Sequence, residues 1–90
     1  MSHEPAVLMY STSWCPYCDR ARNLLARKGV SVQEIKVDED AAQRDVMLQR
    51  SGGRRTVPQI FVGDHHVGGF DDLAALDRAG ELDKLLGKPA

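Results

Sequence analysis

Two cysteines stand three positions apart in Cys15-Pro16-Tyr17-Cys18, and the chain of 90 residues has no others. A cysteine ionised near neutral pH attacks disulfide sulfur, and a second thiol one helical turn away can displace what the first has captured. The pair therefore suits thiol–disulfide exchange, provided Cys15 sits where its thiolate is favoured. Pro16 supplies that condition. Proline is over-represented at the first position of a helix, which makes Cys15 the N-cap. The N–H groups of Tyr17 and Cys18 then face the Cys15 sulfur, and the partial positive charge of the helix N-terminus favours thiolate over thiol. Cys18 lies one turn further in on the same side and is expected to be more shielded. The pattern assigns Cys15 as the exposed nucleophile and Cys18 as the resolving thiol.

The same spacing could form half of a zinc site. Structural zinc takes four ligands, however, and no second cysteine pair exists. His3, His65 and His66 are the remaining soft donors. His3 falls in an expected terminal tail, and adjacent histidines in a hairpin point to opposite faces of a sheet. No metal ligand is assigned.

The elements that must position Cys15 can be read around it. Ala6 to Tyr10 is a short continuous apolar run, which suits a buried strand. From Pro16 onward Ala21, Leu24 and Leu25 share one helical face, with Arg20, Arg22, Arg27 and Lys28 largely off it, and Gly29 ends the helix. Val30 to Val37 alternates as a second strand. Asp40, with Gln43 three residues on, caps a second helix carrying Val46, Met47 and Leu48. Gln59 to Val62, a Gly63-Asp64 turn and His65 to Val67 form a hairpin. Asp71 or Asp72 caps a third helix through Leu73 and Leu76, followed by a last turn or two around Leu82, Leu85 and Leu86. Right-handed crossover makes the first two strands parallel neighbours, and the hairpin adds two antiparallel ones. The expected architecture is α/β, a thioredoxin-like fold with a four-stranded mixed sheet flanked by helices.

Size and charge bound the rest. Ninety residues fit one domain, 1–90, with 1–5 and 88–90 as flexible tails. A net charge of −1, with 28% charged residues, argues against a nucleic-acid or membrane-surface binder. No run is long enough to span a bilayer and no basic leader precedes the first strand, so the default location is the cytoplasm. Two cysteines at close spacing, in a reducing compartment, form a catalytic or metal-binding device rather than a structural staple.

Three blocks together carry a family resemblance: Tyr10 through Cys18; Thr56-Val57-Pro58-Gln59-Ile60-Phe61; and Gly68-Gly69-Phe70-Asp71-Asp72-Leu73. In order and spacing the chain resembles the glutaredoxins, specifically the dithiol bacterial kind with Cys-Pro-Tyr-Cys. The resemblance implies reduction of protein disulfides and glutathione mixed disulfides, with glutathione as reducing co-substrate and no bound cofactor. It implies disulfide-containing or glutathionylated proteins as partners, glutathione reductase as an indirect one, and a monomer. It also implies a cis Val57–Pro58 bond beside Cys15, leaving Val57 backbone groups for a bound peptide. Tyr17, Thr56, Val57, Pro58, Gly69, Phe70, Asp71 and Asp72 are the implied glutathione contacts. The helix begun near Asp71 and Asp72 can hold the γ-glutamyl carboxylate at its N-terminus. Relatives often carry a lysine where this chain has Thr12, so Arg44 and Arg55 become the expected cations for the glycine carboxylate. Arg50 and Arg54 are read as solvated surface charges, and Trp14 as a rim aromatic shielding the site. Two further readings are a [2Fe–2S]-bridged dimer and a redoxin reduced by thioredoxin reductase. Pro16 weighs against the first, and Asp71 with Asp72 against the second.

Overall fold

A computed structural model describes residues 5–88. The other residues of the two expected tails, and His3 with them, lie outside the described residues. In the order strand, helix, strand, helix, strand, strand, helix, helix, four strands, β1 (Val7–Ser11), β2 (Val32–Lys36), β3 (Gln59–Val62) and β4 (His65–Gly68), combine with four helices. These are α1 (Pro16–Arg27), α2 (Ala41–Arg50), α3 (Phe70–Arg78) and the short α4 (Glu81–Leu85). The sheet order is β2-β1-β3-β4, with β1 parallel to β2 and antiparallel to β3, and β3 antiparallel to β4. The expected mixed sheet is observed, in the thioredoxin-like arrangement.

Strand β1 is paired on both sides, and four of its five residues are buried. This is why its sequence is a continuous apolar run rather than an alternating one. It begins one residue later than the apolar run, at Val7; exposed Ala6 instead accepts the Gly63 N–H through its carbonyl at 2.8 Å. The two-residue period then sorts the side chains. Val7, Met9, Ile60 and Val62 face α1, α3 and α4, and pack with Cys18, Ala21, Leu24, Leu25, Leu73, Leu82 and Leu86. Tyr10 and Phe61 face the other way and pack with Val37 and Met47. The Tyr10 and Phe61 rings meet edge to face, 5.8 Å apart at 88°.

In α2 only Met47 is fully buried; Leu48 is half-buried and Val46 lies outside. The Asp40 side chain accepts from the Gln43 N–H at 3.1 Å, as the capping signal predicts. The cap of α3 differs from expectation. Gly69 is its N-cap, and Asp72, three residues on, turns back to accept the Gly69 N–H at 3.0 Å. Arg22 of α1 donates to Glu34 of β2 at 2.8 and 2.7 Å and to Asp19 at 2.6 Å, while the buried Ser11 hydroxyl donates to the same Glu34 carboxylate at 2.5 Å. Lys28, at the end of α1, bridges Asp77 of α3 and Asp83 of α4 at 2.7 and 3.1 Å. These contacts orient α1, and the redox pair sits at its N-cap and in its first turn.

Candidate active site

Cys15 is the N-cap of α1, with extended backbone, and Pro16 is the first helical residue. The Cys18 N–H donates to the Cys15 sulfur at 3.1 Å. The Tyr17 N–H is not part of this cap; the donor is the one a full turn in. Cys15 and Cys18 are joined by a disulfide in this structure, which is the oxidised state of the pair. Cys18 has no accessible surface and belongs to the core, whereas Cys15 is half-buried. The Cys18 N–H and the N-terminus of α1 face the Cys15 sulfur, a placement that favours the thiolate once the bond is reduced.

The loop leading into Cys15 is tied down from across the sheet. The Ser13 N–H donates to the Asp38 carboxylate at 3.1 Å, and the Val37 N–H donates to the Ser11 carbonyl at 2.8 Å. The Ser13 N–H holds the Asp38 carboxyl below the usual carboxylate range. Trp14 is 88% exposed and does not line the adjoining cleft, so the expected aromatic shield stands open to solvent.

A second loop closes over the sulfur. The Val57–Pro58 bond is cis, and the Val57 carbonyl oxygen lies 3.9 Å from Cys15 Sγ. From here a cleft of about 450 Å³ runs to the start of α3. It is lined by Tyr17 of α1, by Arg54, Thr56, Val57 and Pro58 of the loop before β3, and by Gly69, Phe70, Asp71 and Asp72 at the start of α3. The Tyr17 and Phe70 rings stand 6.3 Å apart. The chain must pass close to Asp72 at Gly68, where φ is +112° and a Cβ would collide with the Asp72 carboxylate and approach the Arg54 guanidinium to 2.8 Å.

The structure thus brings together Tyr17, Thr56, Val57, Pro58, Gly69, Phe70, Asp71 and Asp72. It does not bring Arg44 or Arg55 into the cleft lining; the cation that lines it is Arg54. Arg54 is not a plain solvated charge. Its guanidinium lies 3.5 Å from the Asp72 carboxylate, and its backbone is pinned by Ser51, whose hydroxyl accepts the Arg54 N–H at 3.1 Å and donates to the Arg54 carbonyl at 3.2 Å. Gly52 and Gly53, both at positive φ, let the chain double back to make that clamp. Arg50 also differs from expectation. Its guanidinium lies over the Phe61 ring, 4.1 Å from the centroid, and donates to the Tyr10 hydroxyl at 3.3 Å. A weakly hydrated planar cation stacks readily on such a face.

Neither placement carries a local signal in the sequence, because Arg44, Arg50, Arg54 and Arg55 are four similar cations with no means of choosing among them. Gln59 and His66 were equally hidden as a pair: both are polar residues inside strand patterns, joined at 2.7 Å. Burial, and then the neighbouring Arg54 charge, push the His66 imidazole below its usual range. No group of three or more His, Cys, Asp or Glu is arranged to hold a metal ion among the described residues.

A pair of cysteines joined as a disulfide at the head of a helix, with a cleft beside it, makes this molecule a thiol–disulfide oxidoreductase of thioredoxin-like fold. Comparison with known proteins narrows the class. Residues 7–67 match the family model described as Glutaredoxin. The chain is 57% identical over 82 residues to "Glutaredoxin" of Pseudomonas aeruginosa, covering 91% of this chain and 96% of that one. It is 56% identical over 80 residues to "Glutaredoxin 3" of Escherichia coli strain K12, covering 89% and 95%. The solution structure of glutaredoxin from Brucella melitensis is 48% identical, with TM-score 0.82 over 99% of this chain and 98% of the other. A buckwheat glutaredoxin solved as its glutathione complex is 32% identical, with TM-score 0.83 over 92% and 77%. The chain belongs to the glutaredoxin family. Its activity is glutathione-dependent thiol–disulfide oxidoreduction, with glutathione as co-substrate.

Proposed function

We propose that Cys15 is the nucleophile toward glutathione mixed disulfides and protein disulfides, that Cys18 is the resolving thiol, and that glutathione lies in the cleft between Tyr17 and the start of α3. The supporting observation is the continuity of that cleft with the Cys15 loop: its floor is Val57, whose carbonyl lies 3.9 Å from the sulfur. In this reading the Cys15 thiolate attacks the glutathione sulfur of a glutathionylated protein. The S–S bond breaks, the protein leaves as thiolate and takes a proton, and a Cys15–glutathione disulfide remains. A second glutathione thiolate attacks that disulfide, releasing oxidised glutathione and regenerating the Cys15 thiolate. With a protein disulfide, Cys15 forms the mixed disulfide and Cys18, as thiolate, displaces the protein, giving the Cys15–Cys18 bond.

Within the cleft the Val57 backbone pairs with the tripeptide, beside Thr56 and Pro58. The γ-glutamyl carboxylate takes the N-terminal N–H groups of α3, around Phe70 and Asp71. Asp72 is already engaged with the Gly69 N–H and Arg54, so Asp71 is assigned to the γ-glutamyl ammonium. Arg54 supplies positive charge inside the cleft, and Arg44 and Arg55 are proposed for the outlying glycine carboxylate. Tyr17 and Phe70 flank the chain between the two ends.

The wider setting belongs to the same proposal. Residues 1–90 act as one domain and as a monomer in the cytoplasm, on disulfide-containing or glutathionylated proteins, with oxidised glutathione returned by glutathione reductase. No helix among the described residues is long and apolar enough to cross a membrane. The test is glutathione-dependent reduction of a small mixed disulfide, coupled through glutathione reductase. Activity is expected to vanish in Cys15→Ser and to survive in Cys18→Ser. Loss in both variants, or none in Cys15→Ser, overturns the assignment.

A further inference from the structure

Gln59 has no accessible surface, yet each polar atom of its side chain is partnered. Its Nε2 donates to the Thr56 carbonyl at 2.9 Å and lies 3.3 Å from Thr56 Oγ1; its Oε1 lies 2.7 Å from His66 Nε2. A carbonyl only accepts, so the amide can be oriented one way: its NH2 faces Thr56 and its oxygen faces His66. It follows that His66 Nε2 carries a proton and donates it. His66 is in turn stacked on Phe61, centroids 4.8 Å apart at 25°, and the same ring carries the Arg50 guanidinium. His66 therefore donates to Gln59 and Gln59 to Thr56, in one polarised series of hydrogen bonds running from β4 to the loop before the cis proline.

The far end of the series governs a peptide plane. The Thr56–Val57 bond is trans, the cis bond being the next one along. In a trans peptide the C=O and N–H point in opposite directions. With the Thr56 carbonyl drawn inward onto buried Gln59, the Val57 N–H is turned outward, on the residue that forms part of the cleft wall. Neither Gln59 nor His66 lines that cleft.

We propose that Gln59 and His66 are positioning residues that hold the Thr56–Val57 peptide plane so that the Val57 N–H faces the backbone of a glutathionyl substrate. This rests on the placement of glutathione in the cleft argued above. His66 acts at a distance from the ligand, through Gln59 and then Thr56, and its loss weakens capture of the substrate without changing the sulfur chemistry.

The test compares wild type with His66→Phe, which keeps a ring to stack on Phe61 but has no N–H, and with His66→Gln, which restores a donor. Three readouts are taken: kcat and KM for a glutathionylated peptide, the rate of Cys15 alkylation by iodoacetamide, and the backbone amide resonance of Val57. His66→Phe is expected to raise KM about tenfold, the order set by losing one well-placed hydrogen bond. Its kcat and alkylation rate stay near wild type, and the Val57 resonance shifts. His66→Gln is expected to return both KM and the resonance toward wild type. A wild-type KM in His66→Phe with an unmoved Val57 amide overturns the proposal alone. So does a fall in kcat and melting temperature with KM unchanged, which is the mark of a merely structural role. A wild type that does not saturate with the glutathionylated peptide overturns the glutathione placement and this proposal together.

Discussion

At the scale of single residues, the two sulfurs of one short motif live in different media. Cys18 is in the core and Cys15 at its edge, the placement required of the proposed resolving thiol and nucleophile. The thiolate there has a helix N-terminus and the Cys18 N–H to stabilise it, with Thr12 rather than a cation three residues before it. Arg54, paired with Asp72, is the cation that lines the neighbouring cleft. Arg54→Ala is expected to raise KM for glutathione about threefold to tenfold while leaving the alkylation rate of Cys15 near wild type, since one partly exposed charge contributes on the order of 1 kcal/mol. Steady-state kinetics at two ionic strengths checks this, because a charge contact weakens with salt. Cys15, Pro16 and Cys18 were legible from type and spacing alone. Arg54 was not, because its role depends on Asp72, 18 residues away.

At the scale of elements, each helix is attached by a different device. Helix α2 depends on its Asp40 cap, and Asp40→Ala is expected to cost about 1 kcal/mol in chemical denaturation. Helix α1 is tied to β2 by the Arg22 fork on Glu34. The Arg22 guanidinium, aided by the Ser11 hydroxyl, holds the Glu34 carboxyl below its ordinary range. A carboxyl lowered on folding stabilises the native state above its unfolded pKa, and that contribution is lost as pH falls through the folded value. Stability should therefore drop on acidification below the ordinary carboxylate range, and Glu34→Gln should flatten that part of the profile; urea melts between pH 3 and 7, roughly the span over which carboxyls titrate, measure both. The capping signal at Asp40 was readable because it is local. The start of α3 was misread by two or three residues, since Gly69 and an aspartate reaching back from the third helical position leave the same acidic signature as an aspartate cap.

At the scale of the molecule, one sheet separates two packed layers, and the redox pair sits where β1 passes into α1. Leu25 is fully buried between α1 and the sheet. Leu25→Ala is expected to cost about 2–5 kcal/mol, with a single unfolding transition in both proteins if residues 1–90 act as one cooperative domain. Two transitions by circular dichroism and fluorescence would contradict that reading.

What the sequence determined by itself is what depends on neighbours along the chain. Strand and helix periods, the Pro16 start, the Asp40 cap and the spacing of the two cysteines are local, and their physics acts within a turn or a pleat. The parallel pairing of β1 with β2 followed as well, because chirality leaves one sensible crossover. Tertiary structure decided what depends on residues far apart in the chain: Arg54 against Asp72, Arg50 over Phe61, Asp38 under Ser13, and Gln59 between His66 and Thr56. In each case several side chains of the same type were available. Only the distances set by the folded backbone, and the cost of burying a polar group without a partner, selected the ones that meet.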